Sequence, residues 1–378
     1  MLKTIGTQTL KTMRTLRFFI LATTLFAFYA CNTDNEITPS NQEETILPEQ
    51  FSVNLPTAIS SDAIAANNGR TSVDTLEGND IYRHLRAFIR VGEHSAEVVE
   101  DIIIGIRKHR IDRAMVLTIN SDDDNRDKHI VVEENVLYEG TNWDYFLTVT
   151  DADSDEIAFQ LFWNRSPRKG IAIMNPYQMD RRENDSFENL MYRIEYSEGG
   201  EHGYDAHMIV SISGIPLPNA LDDMYALRTL KMFVGKTGEE VDVYGNSNHP
   251  NARLFNEDQG FNWAFIASGN DREDIGVAEV ALPPSFLDEP SGDVILEEYA
   301  IKKVFEEQIY EYWPNIEPET VDAFLYNTAA PGFFNEKGFV TGGESPGAEY
   351  SPLLENLEDL SPYNPKEVTE LLVEFANL

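Results

Sequence analysis

Trp143-Asp144-Tyr145-Phe146-Leu147-Thr148-Val149-Thr150 alternates large apolar residues with a second, more polar series. Trp143, Tyr145, Leu147 and Val149 share one phase, as on a half-buried strand with a period of two. The next segments repeat the pattern. Ile157, Phe159, Leu161 and Trp163 share a phase, as do Leu190, Tyr192, Ile194 and Tyr196, and then Ala206, Met208, Val210 and Ile212. Further strands are expected near 113–120, 129–138, 170–174, 228–234, 240–244, 262–267 and 275–282. Turn-rich segments separate them, including Asp151–Asp155, Ser197–Gly203 and Gly269–Asp274. Serial half-buried strands with short connections predict an antiparallel meander in a mainly β fold with flanking helices (α+β). Such a sheet is expected to be barrel-like or to form two packed sheets, because closure removes exposed edges. Gly140–Phe146 also resembles Gly260–Ile266, as a duplicated hairpin or a chance likeness between two similar hairpins would.

Outward from this core the pattern changes. Residues 80–111 carry helical spacing, with Ile81, Leu85, Phe88 and Ile89 on one stripe and Val99, Ile102, Ile103 and Ile106 on another. Gly92 and Ser95 between them predict two short helices, one ended and one capped there. Residues 31–79 are polar, acidic and interrupted by Pro39, Pro48 and Pro56, and are expected to form a flexible tether. The β domain is expected over 112–290. A C-terminal helical extension is expected over 291–378, with helices at 293–313 and 365–375 and a glycine-rich loop at 331–347.

Composition excludes several classes of partner. The formal charge is −36 over 378 residues. Without residues 1–30, which carry four basic residues and no acidic one, it becomes −40 over 348. Nucleic acid is therefore not an expected partner. The same charge repels anionic lipid headgroups, so membrane contact is expected through an anchor alone. Cys31 is the only cysteine, which leaves no intrachain disulfide and no thiolate metal site.

Motifs that carry chemistry are incomplete. Asp151, Asp153 and Asp155 alternate as in a calcium loop, but the sixth and twelfth places hold Glu156 and Phe162 instead of glycine and glutamate. Glu201, His202, Asp205 and His207 lie close together without a zinc spacing. Gly235-Lys236-Thr237 lacks the earlier glycine of a phosphate loop, the residue there being Leu230. Gly245-Asn246-Ser247-Asn248-His249-Pro250 pairs a serine with a histidine but lacks the glycine of a nucleophile elbow. No cofactor, metal or catalytic residue is expected from these readings. The candidate ligand-binding set is aromatic: Trp143, Tyr145, Phe159, Trp163, Tyr192, Tyr196, Trp263 and Phe265 all fall on the apolar phases of their strands. In a closed sheet they would line a core or a cavity for one apolar or ring-bearing ligand.

The N-terminus supplies an address. Lys3, Lys11, Arg14 and Arg17 precede the apolar run Phe18–Ala30, which ends at Cys31. Met13 opens a compact basic segment and is an alternative start. Residues 1–31 resemble the signal and lipobox of bacterial lipoproteins, with Phe28 and Tyr29 at the two places before Ala30. The resemblance implies removal of residues 1–30, lipidation of Cys31 and residence in the cell envelope as an outer-membrane lipoprotein. The expected function is non-catalytic: binding an apolar or ring-bearing ligand or an envelope partner. The alternatives are a structural or assembly lipoprotein that docks another envelope protein, and a glycan hydrolase using a carboxylate pair.

Overall fold

The computed structural model describes residues 46–60, 76–121, 125–180, 187–219, 226–252 and 260–378. The signal segment, Cys31 and the first part of the expected tether lie outside the described residues, as do Asp122–Asp124.

One antiparallel sheet of 13 strands forms the frame, and each strand pairs with the next in the chain. The first eleven are β1 (Met115–Asn120), β2 (Asp127–Tyr138), β3 (Thr141–Asp151), β4 (Ile157–Arg165), β5 (Arg168–Met174), β6 (Met191–Ser197), β7 (Ala206–Ser213), β8 (Thr229–Thr237), β9 (Glu240–His249), β10 (Phe261–Asn270) and β11 (Ile275–Ala281). The last two are β12 (Gly332–Asn335) and β13 (Gly338–Gly342). β1 pairs with β2 alone and β13 with β12 alone, so the sheet is an open meander and not a closed barrel. The two similar hairpins open β3 and β10 within this single sheet, so they do not generate two sheets.

The inner face is covered by α1 (Gly78–Arg107), a single helix of 30 residues where two were expected. Ile81, Leu85, Phe88, Ile89, Val99, Ile103 and Ile106 face the sheet as one buried stripe. Gly92 does not end the helix. A β-carbon there would lie 2.4 Å from Met232 Cε, so the missing side chain lets α1 approach β8 closely. Residues 46–60, expected in the tether, form a strap over the same face. Phe51, Val53, Leu55, Ala58 and Ile59 are buried in the central core. Burying that much apolar surface outweighs the polar, proline-broken character of the segment.

The four-residue α2 (Pro176–Met179) follows β5. The C-terminal region is not simply helical. α3 (Gly292–Glu298) and α4 (Ile301–Tyr312) replace the one expected helix, because Ala300 turns out to bridge Ala281 at the end of β11. α5 (Pro318–Phe324) follows, and the expected loop contains the β12–β13 hairpin. α6 (Ser351–Leu357) packs on β10 and β11, and α7 (Pro365–Thr369) on β8, β9 and β10. α7 is shorter than expected. Beyond it Val373 N–H donates to Ser213 Oγ at 3.0 Å and Ala376 N–H to Gln160 Oε1 at 2.8 Å. The tail thus runs over the outer face from β10 back to β4. It satisfies buried Gln160, whose Nε2 returns a bond to the Ala376 carbonyl at 3.1 Å. Among the described residues no helix is long and apolar enough to cross a membrane.

Candidate functional site

The eight aromatic candidates do not form one set. Phe159, Trp163, Tyr196 and Phe265 are fully buried in the central core. The Trp163 indole N–H donates to the Ile46 carbonyl at 2.8 Å, and its ring stacks on Tyr145 at 5.2 Å. Tyr196 packs on Phe51 of the strap at 5.7 Å. Tyr145, Tyr192 and Trp263 flank the same core and are half-buried. Burial pushes the Tyr192 phenol up to about 12. Trp263 meets Phe88 of α1 at 5.6 Å. Trp143 departs from the expected phase. It joins Phe146, Phe162 and Ile171 in the separate outer cluster, with its indole N–H on the Tyr138 carbonyl at 3.3 Å. The cause lies across the ladder in β2. Asn135 takes φ 59°, after which Val136 and Tyr138 belong to the outer cluster although Ile130 and Val132 belong to the inner one. The space that a barrel would offer a ligand is therefore occupied by α1 and the strap.

The polar candidates are engaged in the fold. Asp151 is fully buried and accepts from Lys128 Nζ at 2.8 Å, from the N–H of Asp153 at 3.0 Å and from that of Ser154 at 3.1 Å. Burial opposes its charge, but these donors outweigh burial and hold the carboxyl at about 2. Asp205 accepts from Gly238 N–H at 3.2 Å, and Glu201 accepts from the Ser197 hydroxyl. His202 meets His207 edge-on at 4.9 Å, and His207 stacks on Phe233 at 5.7 Å. Burial, then the neighbouring His202, lowers the His207 pKa. Among the described residues no three His, Cys, Asp or Glu side chains are grouped to hold a metal. Ser247 Oγ and His249 Nε2 are 2.9 Å apart, but both are buried, with His249 between the rings of Phe88 and Phe261. That pair presents no surface to a substrate.

The feature that the fold leaves open is the edge of β1. Ser121 N–H donates to the Arg126 carbonyl at 2.8 Å, which fixes the alternation of the β1–β2 ladder. In an antiparallel pair every second residue exchanges both backbone bonds with its partner. Met115, Leu117 and Ile119 therefore bond to Val132, Ile130 and Lys128, while the N–H and C=O of Val116, Thr118 and Asn120 point away from the sheet. No backbone partner for these three is present among the described residues. Side chains sharpen the contrast between faces. Met115, Leu117 and Ile119 pack against the core, whereas Val116 is 75% exposed beside half-exposed Val131. Thr118 Oγ1 meets His129 Nδ1 at 2.8 Å on that outer face. The strand itself was legible from its alternation. Its position at the edge was not, since that depends on which strand fails to return to it. No family model, curated protein or solved structure matches this chain.

Proposed function

We propose that this chain is a lipid-anchored module of the bacterial cell envelope, held at the outer membrane through Cys31, that acts without catalysis by docking an extended segment of an envelope partner along β1. The lipobox resemblance of residues 1–31 supports the anchor. The observation that carries the docking is the row of outward backbone groups on Val116, Thr118 and Asn120. An added strand gains main-chain hydrogen bonds there, and exposed Val116 and Val131 offer side-chain contacts beside it. β1 carries no lysine or proline to discourage such pairing.

A photo-crosslinker at position 116, used in intact cells, tests the proposal. The expected result is an adduct with one envelope protein that disappears in a Thr118→Pro variant of unchanged fold. An absent adduct, or one indifferent to Thr118→Pro, overturns the docking. Cys31→Ala is expected to abolish acyl labelling, and retained labelling overturns the anchor. A second reading, binding of a ring-bearing ligand, draws on the half-exposed Tyr145, Tyr192 and Trp263. It requires an apolar probe to raise the melting temperature and to change tryptophan emission.

A further inference from the structure

We infer that a gap in the covering of the outer face, over β6 to β9, binds a short peptide by its two charged ends, at a site separate from the β1 edge and independent of it. The strand register sets the floor. Glu195, Ile209, Phe233 and Tyr244 lie opposite one another on successive strands, in a row about 14 Å long. Ile209 is half-exposed and belongs to none of the apolar clusters. Phe233 joins none of them either, and is buried between the rings of Tyr244 at 4.7 Å and Tyr204 at 5.5 Å.

Structure on each side limits what fits. Toward β5, Glu139 from the turn after β2 reaches Arg193 at 2.6 Å. Toward β10, Leu353 and Leu357 of α6 cluster with Ile266. At one end of the strands Tyr363 N–H donates to Asn246 Oδ1 at 2.9 Å, and the tail continues from there to Ser213. At the other end Tyr204 lies on Gly235, where a β-carbon would come within 2.6 Å of its ring, and its hydroxyl donates to Asp242 at 3.0 Å. Such a frame admits a small molecule and not a folded domain.

Two opposite charges stand diagonally across Ile209. The half-exposed Lys231, one residue pair from Phe233 on β8, forms no ion pair among the described residues, and its ammonium lies 4.3 Å from the centre of the Tyr363 ring. Glu195 accepts from Arg193 at 2.9 Å, but Arg193 also holds Glu139. One guanidinium thus serves two carboxylates, and a negative charge is left in excess on that side. The carboxylates nearby are engaged elsewhere, Glu198 with Arg168 at 2.8 Å, Glu201 with Lys169 at 3.6 Å and Asp242 with the Tyr204 hydroxyl. His207, 6% exposed, stacks on Phe233, and its buried Nδ1 has no hydrogen-bond partner among the described residues. A peptide supplies what these groups lack: an ammonium for Glu195, a carboxylate for Lys231, a backbone amide for His207 and an apolar side chain for Ile209. Glu195 and Lys231 are two strands and one residue pair apart, about 12 Å between α-carbons. With both side chains reaching inward, the remaining span is that of a dipeptide or tripeptide.

The test is calorimetric titration of the full chain with leucyl-leucine and with its N-acetylated and C-amidated forms. The free dipeptide is expected to bind saturably at one site. Either blocking group should weaken binding by about tenfold or more, as loss of one charge-assisted contact does. Lys231→Met should weaken leucyl-leucine by a similar factor and leave the amidated form unaffected. Glu195→Gln should weaken it likewise and leave the acetylated form unaffected. Absence of saturable binding overturns the site, as does equal binding of all three forms to the unaltered protein. A Lys231→Met loss that extends equally to the amidated form overturns the assignment of the carboxylate. Thr118→Pro should bind leucyl-leucine as the parent does, and loss of binding in that variant moves the dipeptide to the β1 edge and overturns the site over β6 to β9.

Discussion

At one end of the sheet β13 is shut in. The Asn327 side chain accepts from Gly342 N–H at 2.7 Å, Tyr82 of α1 stacks on Phe339 at 5.1 Å, and Gly78 and Leu76 N–H donate to Tyr326 and Phe324 carbonyls. At the other end β1 has, among the described residues, a ladder on one side only. Its neighbours β2 and β3 are tied together by Lys128 and Asp151, which are 2% and 0% exposed in their side chains. Both ends belong to the same meander, so strand pattern alone does not decide how an edge is treated. The difference comes from what packs beside it. A covered edge has spent its backbone groups on the protein itself, and an open one keeps them for a partner or for solvent.

The largest effect is expected where the open end is pinned. Asp151→Ala leaves the Lys128 ammonium buried without its carboxylate and should cost about 3–5 kcal/mol in denaturant unfolding. Lys128→Met combined with Asp151→Leu should recover most of that loss. A single-variant cost below about 1 kcal/mol would show that the ion pair does not hold this end. The same pair sets an acid limit. The folded carboxyl titrates at about 2, below the usual carboxylate range, so its stabilising effect is complete above about pH 4 and is lost as pH falls toward 2. Asp151→Asn should flatten the acid limb of the stability profile across that window.

The closed end should resist change by sterics. A β-carbon on Gly332 would lie 2.4 Å from Tyr82 Cζ, so Gly332→Ala should cost about 1–3 kcal/mol through displacement of the ring. A neutral result would mean that α1 is not pressed against β12 as described. Thr118→Pro is expected to cost only about 1 kcal/mol, because it removes an outward N–H and one exposed side-chain bond but no ladder bond. A loss of several kcal/mol would mean that the Thr118 N–H is paired in the folded protein, which would break the comparison. The smallest effect needs no substitution. In hydrogen exchange the amides of Val116 and Thr118 should exchange faster than those of Leu117 and Ile119, and equal protection would show a covered edge.

Much of the strand domain could be read directly. The alternation from Trp143 to Val149 and its repeats locate β3, β4, β6 and β7, because a half-buried strand must segregate its side chains every second residue. The helix break expected at Gly92 and Ser95 misled for a definable reason. A glycine costs about 1 kcal/mol in an isolated helix, but here its bareness is what allows contact with Met232. The phase of Trp143 failed because one residue, Asn135 on the partner strand, takes a left-handed conformation and turns the pair. The candidate edge lay outside what periodicity can report. Its alternation predicts a strand, while its openness depends on the absence of any neighbour on one side among the described residues.

By itself the sequence determined the meander, the amphipathic stripe of α1, the strong negative charge and the likeness of residues 1–31 to a lipoprotein signal. These follow from local alternation, helical spacing and composition, all of which act within a few residues along the chain. Only the tertiary structure decided that the sheet stays open, that Ile46 to Ser60 fill its inner face and that the C-terminal tail covers its outer face. Each of those outcomes depends on surfaces far apart in sequence competing for the same buried area, and no local pattern records which of them wins.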